Sequence, residues 1–265
     1  MWGCADFGGG LLARRLPVLA ITVVSQAAGF AVLLVGLAAR GDLGWRSFAL
    51  GLAGGVGGGI GLAAFYKALS LGTMSVVSPI AACSALVPFV LSLATGERPA
   101  TIAVCGAILA LTGAVLASVE ERRSSSPERA QAVLLAVATA FALGLFVYFL
   151  GLGSREGDAL STLVGARVGS LTVLMALAVV SRASLRLPVG SIPAVAAVGV
   201  ADVSANALFA FASTHGLLAL VSVLGSLYPV VTLLLAHVFL HERLTRTQQV
   251  GVGVALAGVV AIAAA

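Results

Sequence analysis

Apolar runs of about membrane-crossing length follow one another along the whole chain, separated by short polar breaks. A bilayer core about 30 Å thick takes roughly 20 apolar residues as helix. Measured against that length, the chain predicts about ten helical segments, at about 1–12, 17–39, 47–70, 74–94, 100–119, 130–152, 159–180, 192–214, 217–240 and 247–265. The runs are continuous, not alternating, which argues against membrane β-strands. The first run is unlike the others. Only about a dozen residues precede Arg14 and Arg15, too few to span. Asp6 interrupts the run and its basic residues follow it, so it does not read as a signal peptide. Either the first helix begins upstream of Met1 or it is a partial span, and the first is the expectation.

The sharpest break is the charged, Ser-rich stretch at 120–129, which contains Pro127 and reads as a solvated linker. It leaves five segments on each side, giving 1–119 as a first repeat, 120–130 as linker and 131–265 as a second repeat. The two halves align. With Glu97 laid on Glu242, Gly106 falls on Gly251, Ala110 on Ala255, Leu111 on Leu256, Gly113 on Gly258 and Val115 on Val260. Earlier in the halves, Phe65, Ala68, Gly72, Val77 and Ser78 fall on Phe209, Ala212, Gly216, Val221 and Ser222 at an offset of 144. Arg14 and Gln26 fall on Arg155 and Arg167 at an offset of 141. A match held over helix lengths is an internal repeat. An odd number of spans per repeat makes the second copy enter from the opposite side, the inverted arrangement of many secondary transporters. The fold expected is therefore an all-α integral membrane protein of about ten transmembrane helices in two inverted five-helix repeats, the first helix truncated.

Composition removes the soluble alternatives. The chain is 60% hydrophobic and 9% charged, where a soluble domain carries about 25% charge. The net charge of +5 lies between the apolar runs and reads as loop charge. No basic face with interleaved aromatics exists, so nucleic acid is not an expected partner. Cys4, Cys83 and Cys105 are isolated in apolar sequence and read as small buried residues. Arg14, Arg15, Arg122, Arg123, Arg129, Arg182, Arg186, Arg243 and Arg246 lie in the loops after helices 1, 5, 7 and 9, against Arg40, Arg46, Arg98 and Arg155 on the other side. This count puts the first set in the cytoplasm and both termini outside.

Several motifs together resemble the EamA-like branch of the drug/metabolite transporter superfamily: Trp2-Gly3-Cys4-Ala5-Asp6-Phe7, Tyr66-Lys67-Ala68-Leu69, Ser78-Pro79-Ile80-Ala81-Ala82, Gly96-Glu97-Arg98-Pro99 and Tyr228-Pro229. The resemblance spans nearly the entire chain, and the paired Glu-Arg turns Glu97-Arg98 and Glu242-Arg243 are its markers. It departs from the family pattern in the short first helix and at His241. The resemblance implies ten helices, two inverted halves, a central cavity, alternating access and export of amino acids, metabolites or toxic compounds. It also implies cytoplasmic termini, opposite to the loop-charge count. A bacterial-type inner membrane is the expected location.

A polar or ionisable side chain inside a bilayer is costly and by default a functional candidate. Asp202 falls near the middle of the eighth segment, Asn206 shares its helical face, and Arg167 within the seventh segment could pair with an acid. Asp6, Trp2, Ser25 and Gln26 form a second polar group early in the first half. Tyr66, Tyr148 and Tyr228 add hydrogen-bonding groups, and Lys67 reads as a snorkelling residue. The candidate substrate or proton pathway is thus Asp6, Gln26, Tyr66, Tyr148, Arg167, Asp202, Asn206 and Tyr228. Pro79, Pro88 and Pro229 interrupt apolar runs and are candidate kinks or hinges. Glu97, Arg98, Glu242 and Arg243 read as interfacial fold markers, and the glycines between 51 and 61 as a close-packing stripe.

His237 and His241 have a chelating spacing but no third ligand, so no metal site is expected. No cofactor or nucleotide motif is present, and no nucleophile–base pair marks an intramembrane enzyme. The reading is a secondary transporter for a small molecule, with a proton as a candidate coupling ion and a monomer or homodimer as its state. A non-transporting membrane scaffold is the alternative.

Overall fold

The computed structural model describes residues 1–13, 15–71, 80–81, 83–118, 129–240 and 244–265, with the backbone alone at 66, 69–71, 118, 129, 130, 229, 233 and 236. Arg14, Pro79, Glu242, Arg243 and His241 lie outside the described residues, as does the side chain of Tyr66. Every described element is helical. The helices are α1 (Trp2–Ala13), α2 (Val18–Arg40), α3 (Trp45–Leu71), α4 (Leu86–Ala94, entered through a 3-10 turn at Cys83–Ala85), α5 (Thr101–Ser118), α6 (Arg129–Arg155), α7 (Ala159–Val180), α8 (Ile192–His215), α9 (Leu218–Gly225), α10 (Tyr228–Leu240) and α11 (Arg246–Ala263).

Seven segments among the described residues are long and apolar enough to cross a membrane: Val18–Arg40, Trp45–Phe65, Gln131–Arg155, Ala159–Val180, Val189–His215, Leu218–Leu240 and Arg246–Ala263. Cys83–Ala94 and Thr101–Ala117 are shorter apolar helices. Large apolar side chains such as Val35, Leu134, Phe141, Val179 and Phe211 are exposed, an arrangement suited to lipid tails and not to water. Cys4 and Cys105 are exposed and Cys83 is half-buried, so the thiols are not the buried core residues expected from their apolar surroundings.

The prolines sit where a missing N–H costs least. Pro88 is in the first turn of α4 and Pro229 is the second residue of α10, positions whose amides have no intrahelical partner. The run expected as one segment at 217–240 is divided just before Pro229, between Gly225 and Tyr228. Gly41 closes α2 in the left-handed region with φ of 82°, donating its N–H to the Leu37 carbonyl.

The chain divides into two compact units, each drawing on both sequence halves. The first is Met1–Ile60 with Phe149–His215, and the second Gly61–Tyr148 with Gly216–Ala265.

In the first unit, α3 and α7 run parallel in backbone contact. A Cβ on Gly51 would strike the backbone of Thr162, one on Gly55 that of Ala166, and one on Gly59 would lie 2.7 Å from Val173 Cβ and 3.2 Å from the Ser170 carbonyl oxygen. The α2–α8 contact has the same form. Gly199 abuts the backbone of Ser25, and a Cβ on Gly29 would lie 2.9 Å from the Gly199 carbonyl oxygen. Lipid tails are as apolar as the side chains they would replace, so helix association in a membrane relies on such close approach. α1 packs along α8, with Gly8 against Val198 at its far end.

In the second unit, α5 and α11 cross antiparallel through facing small residues. Gly113 meets Ala255 and Gly251, and Gly258 meets Ala110 and Gly106. Ala85, Phe89, Ala107, Ala110, Leu111, Ala219 and Val223 form the apolar cluster beside this seam. The Glu97 carboxylate accepts the backbone N–H groups of Leu218 at 2.8 Å and Ala219 at 2.9 Å, capping the first turn of α9. A carboxylate at a helix N-terminus satisfies orphan donors and meets the favourable end of the helix dipole. The fold-marker residue Glu97 thereby ties the turn after α4 to the start of α9.

These contacts predict that Gly55→Leu and Gly113→Leu destabilise the protein by about 1–3 kcal/mol each through overpacking. Gly253→Ala, where a Cβ meets nothing within 4 Å, leaves stability unchanged or slightly raised, and thermal unfolding in detergent compares the three.

Candidate functional site

The first unit gathers the polar residues of four helices. On α7, Arg167 is 6% exposed, and its Nη2 donates to Asp202 Oδ2 on α8 at 2.5 Å. Asn206 lies one turn further along α8, and its Nδ2 donates to the same carboxylate oxygen at 3.3 Å. Its Oδ1 accepts the indole N–H of Trp2 on α1 at 3.2 Å. The Trp2 ring lies 5.5 Å from that of Phe209, centroid to centroid. Ser170, one turn beyond Arg167, donates its hydroxyl to Gln26 Oε1 on α2 at 2.5 Å. A single chain of polar contacts therefore runs from α2 through α7 and α8 to α1.

The two polar groups expected separately from the sequence meet here. Trp2 joins Asn206 and Gln26 joins Ser170, while Asp6 interacts electrostatically with Asp202. Ser25 does not take part: its hydroxyl donates to the Thr22 carbonyl of its own helix. Tyr148 and Tyr228 belong to the second unit. Ser170 and Phe209 were not among the sequence candidates. Spacing was the available signal, since Ser170 is three residues from Arg167 and Phe209 three from Asn206.

The Arg167–Asp202 pair sets the energetics. A guanidinium this buried is strongly unfavourable without a counter-charge. The pair leaves both side chains in place for further ligation: Asp202 is 34% exposed and can accept more bonds on its other oxygen.

A second polar cluster joins the loops at one end of the same unit. Arg40 Nη1 and Nη2 donate to Asp158 Oδ1 and Oδ2, both at 2.5 Å, a fork-to-fork pair. Asp158 is the N-cap of α7 and accepts the Ser161 N–H at 2.9 Å and the Ser161 hydroxyl. Gly44 N–H donates to Asp158 Oδ2 at 3.1 Å. Arg46 adds an exposed bridge to Glu156 at 2.9 Å. The hydrogen bond from Arg40, reinforced by those from Ser161, holds the Asp158 carboxyl well below the usual carboxylate range. At the C-terminal end of α6, next to this cluster in the chain, Arg155 Nε donates to the Ser213 carbonyl at 2.6 Å.

Among the described residues no group of three or more His, Cys, Asp or Glu lies close enough to hold a metal ion.

A bundle of apolar helices with a buried charge pair and aligned polar side chains defines a multi-pass integral membrane protein with a polar interior. The chain belongs to the EamA-like transporter family, whose model matches residues 1–119 and 130–264. It is accordingly a membrane transporter of the drug/metabolite type, from a family that is not one of enzymes. No curated protein matches the chain. A crystal structure of a protein with 22% sequence identity has a TM-score of 0.78 and covers 98% of this chain and 94% of that one, a likeness of fold.

Two predictions follow from the charge clusters. Removing one member of the buried pair, by Arg167→Gln or Asp202→Asn, costs about 3 kcal/mol or more, while the double substitution recovers most of the loss; thermal unfolding of the three variants measures this. Asp158→Ala removes a cap worth about 1 kcal/mol together with its ion pair. Because the folded carboxyl is depressed, that stability is fully present above the unfolded value near 4 and is lost as pH falls below it. The melting difference between wild type and Asp158→Ala therefore shrinks as the buffer is acidified below about pH 4.

Proposed function

We propose that the protein is a secondary active exporter of a small organic solute, working by alternating access between two inverted five-helix repeats, in a bacterial-type inner membrane. The observation that carries this reading is the Arg167–Asp202 pair with its extensions to Trp2, Asn206, Ser170 and Gln26. Such polar groups inside a membrane bundle are expensive and mark solute or ion pathways. Gln26, Arg167, Asp202, Asn206 and Asp6 are the proposed solute-binding set, with Tyr66, Tyr148 and Tyr228 as candidate contributors. A proton is the candidate coupling ion, and Pro79, Pro88 and Pro229 are candidate hinges.

Helix packing supports the inverted repeat at residue level. Offset by 141 in α2 and 144 in α3, Ser25 and Gly199 correspond to Ala166 and Gly55. Both pairs are in backbone contact. Gly29 and Val203 correspond likewise to Ser170 and Gly59, and both of those pairs also touch. The α5–α11 seam maps onto itself: the contact of Gly106 with Gly258 is the image of that of Gly251 with Gly113. A two-fold relation between oppositely inserted copies produces such matched contacts.

The polar set breaks this symmetry. The positions corresponding to Asp6 and Asp202 are Val147 and Gly58, and that corresponding to Arg167 is Gln26. A charge pair needed only for folding a two-fold frame would have no reason to occur in one copy alone.

The test is export from proteoliposomes loaded with a panel of amino acids and cationic drugs, with and without a pH gradient. Export of one solute class, stimulated by the gradient, is the expected result. Gln26→Ala, which spares the ion pair, lowers the rate at least tenfold with unchanged reconstitution. Equal movement in protein-free liposomes and in liposomes holding folded protein would contradict the proposal.

A further inference from the structure

The two ends of the first unit carry their charge in opposite ways. α2 and α8 run parallel, since Ser25 meets Gly199 and Gly29 meets Val203, and the Arg40–Asp158 pair sets the last residue of α2 beside the start of α7. The stretch 14–17 before α2 and the stretch 181–191 between α7 and α8 therefore share one end, and the loops at 41–44 and 156–158 share the other. At that second end the arginines are engaged: Arg40 with Asp42 and Asp158, Arg46 with Glu156, and Arg155 with the Ser213 carbonyl. At the first end the sequence places Arg14, Arg15, Arg182 and Arg186 and no acid. Arg15, Arg182 and Arg186 are exposed, and none of the three forms an ion pair with a described residue.

The backbone holds two of these arginines outward. Arg182 follows the C-cap of α7 in the left-handed region, with φ of 50°. Its N–H donates to the Val179 carbonyl and that of Ala183 to the Ala178 carbonyl, the bond pair of a Schellman ending, whose left-handed residue is usually Gly. A side chain at this position is strained, and the one present is a cation. Beyond it, half-buried Ala183, Leu185 and Leu187 alternate with exposed Ser184, Arg186 and Pro188, so the segment turns an apolar face inward and gives Arg186 to the other. The setting is the membrane boundary. The spans begin at Val18 and Val189 and end at Val180, so each arginine lies within three residues of a span end. Beside them Val179, Val180 and Val189 are 73%, 83% and 81% exposed.

We infer that this end of the first unit is a docking surface for anionic phospholipid, its headgroup phosphates met by Arg15, Arg182 and Arg186 and its acyl chains by the three valines. Arginines without internal partners at a bilayer surface attract anionic headgroups, each strengthening the attraction about fivefold. The valines decide the class of partner. An acidic protein or a nucleic acid would answer the arginines and leave the valines bare, whereas a phospholipid presents an anion directly above hydrocarbon. The opposite end, with its arginines already neutralised, gains nothing from lipid charge. This end is therefore the one that prefers an anionic leaflet, whichever solute the protein carries.

The experiment is native mass spectrometry of the purified protein in detergent, titrated with dioleoyl phosphatidylglycerol and, separately, with zwitterionic dioleoyl phosphatidylcholine. Wild type is expected to bind the first phosphatidylglycerol about fivefold or more tighter than phosphatidylcholine. Joint replacement by Arg182→Gln and Arg186→Gln removes that preference and leaves phosphatidylcholine binding unchanged, while Arg46→Gln at the other end changes neither. Arg182→Gly separates lipid binding from folding. It relieves the left-handed strain, so its melting temperature equals or exceeds that of wild type, yet it binds phosphatidylglycerol more weakly. Equal affinity of wild type for the two lipids overturns the proposal, as does a folded double variant that keeps the wild-type preference. Inorganic phosphate equimolar with the lipid is expected not to compete; displacement of phosphatidylglycerol by it would assign the arginines to a free anion and overturn the lipid reading.

Discussion

Hydrocarbon offers no solvent for an ionised group, so a guanidinium inside a membrane bundle must be held against an opposite charge. Arg167 meets that demand through Asp202, and this one contact orders much of the first unit. It fixes the rotation of α7 relative to α8. Asn206 then sits one turn from the carboxylate, able to bond both Asp202 and the Trp2 indole. Ser170 is brought round to Gln26 by the same rotation. The short helix α1, with only twelve residues, gains a defined register on α8 from these polar bonds. The charge pair is thus a structural requirement and the anchor of the proposed solute site.

Glycine supplies the complementary constraint. Where Gly51 and Gly55 face α7, and Gly29 and Gly199 form the α2–α8 crossing, the backbones come within a distance that no side chain permits. Close approach brings Gln26, Arg167 and Asp202 within reach of one another's partners. In the second unit the α5–α11 seam uses the same device, with Gly106, Gly113, Gly251 and Gly258 against the facing backbone. Rigid packing of small residues and a few costly polar groups divide the work: the first fixes helix geometry and the second gives it chemistry.

Much of the fold was legible because long apolar runs bounded by charge or glycine leave little choice of secondary structure. The segments expected at 17–39, 159–180 and 192–214 correspond to Val18–Arg40, Ala159–Val180 and Ile192–His215. The division between α9 and α10 was not legible, since hydropathy is continuous through it; Pro229 was the one local signal. Arg167, Asp202 and Asn206 stood out because polar groups are rare in such runs. Their union with Trp2 and Gln26 did not, because it depends on contacts 204 and 144 residues apart in the chain. Asp158 escaped notice because an acid before a helix reads as ordinary loop, and its partner Arg40 is 118 residues away. Likewise, the compact units mix the two sequence halves, a consequence of helices from one half packing on those of the other.

We propose that the polar side chains of the first unit line a water-filled path for solute while the outer faces meet lipid. Cysteine accessibility tests it most directly. In a background with Cys4, Cys83 and Cys105 replaced by alanine, Asp6→Cys and Ser170→Cys are compared with Val137→Cys and Phe211→Cys, which lie on exposed apolar faces. The account predicts rapid labelling at position 6 by a membrane-impermeant, water-soluble thiosulfonate, slowed by a transported solute, and no labelling at 137 or 211. Labelling at 137 and 211 with none at 6 would contradict it.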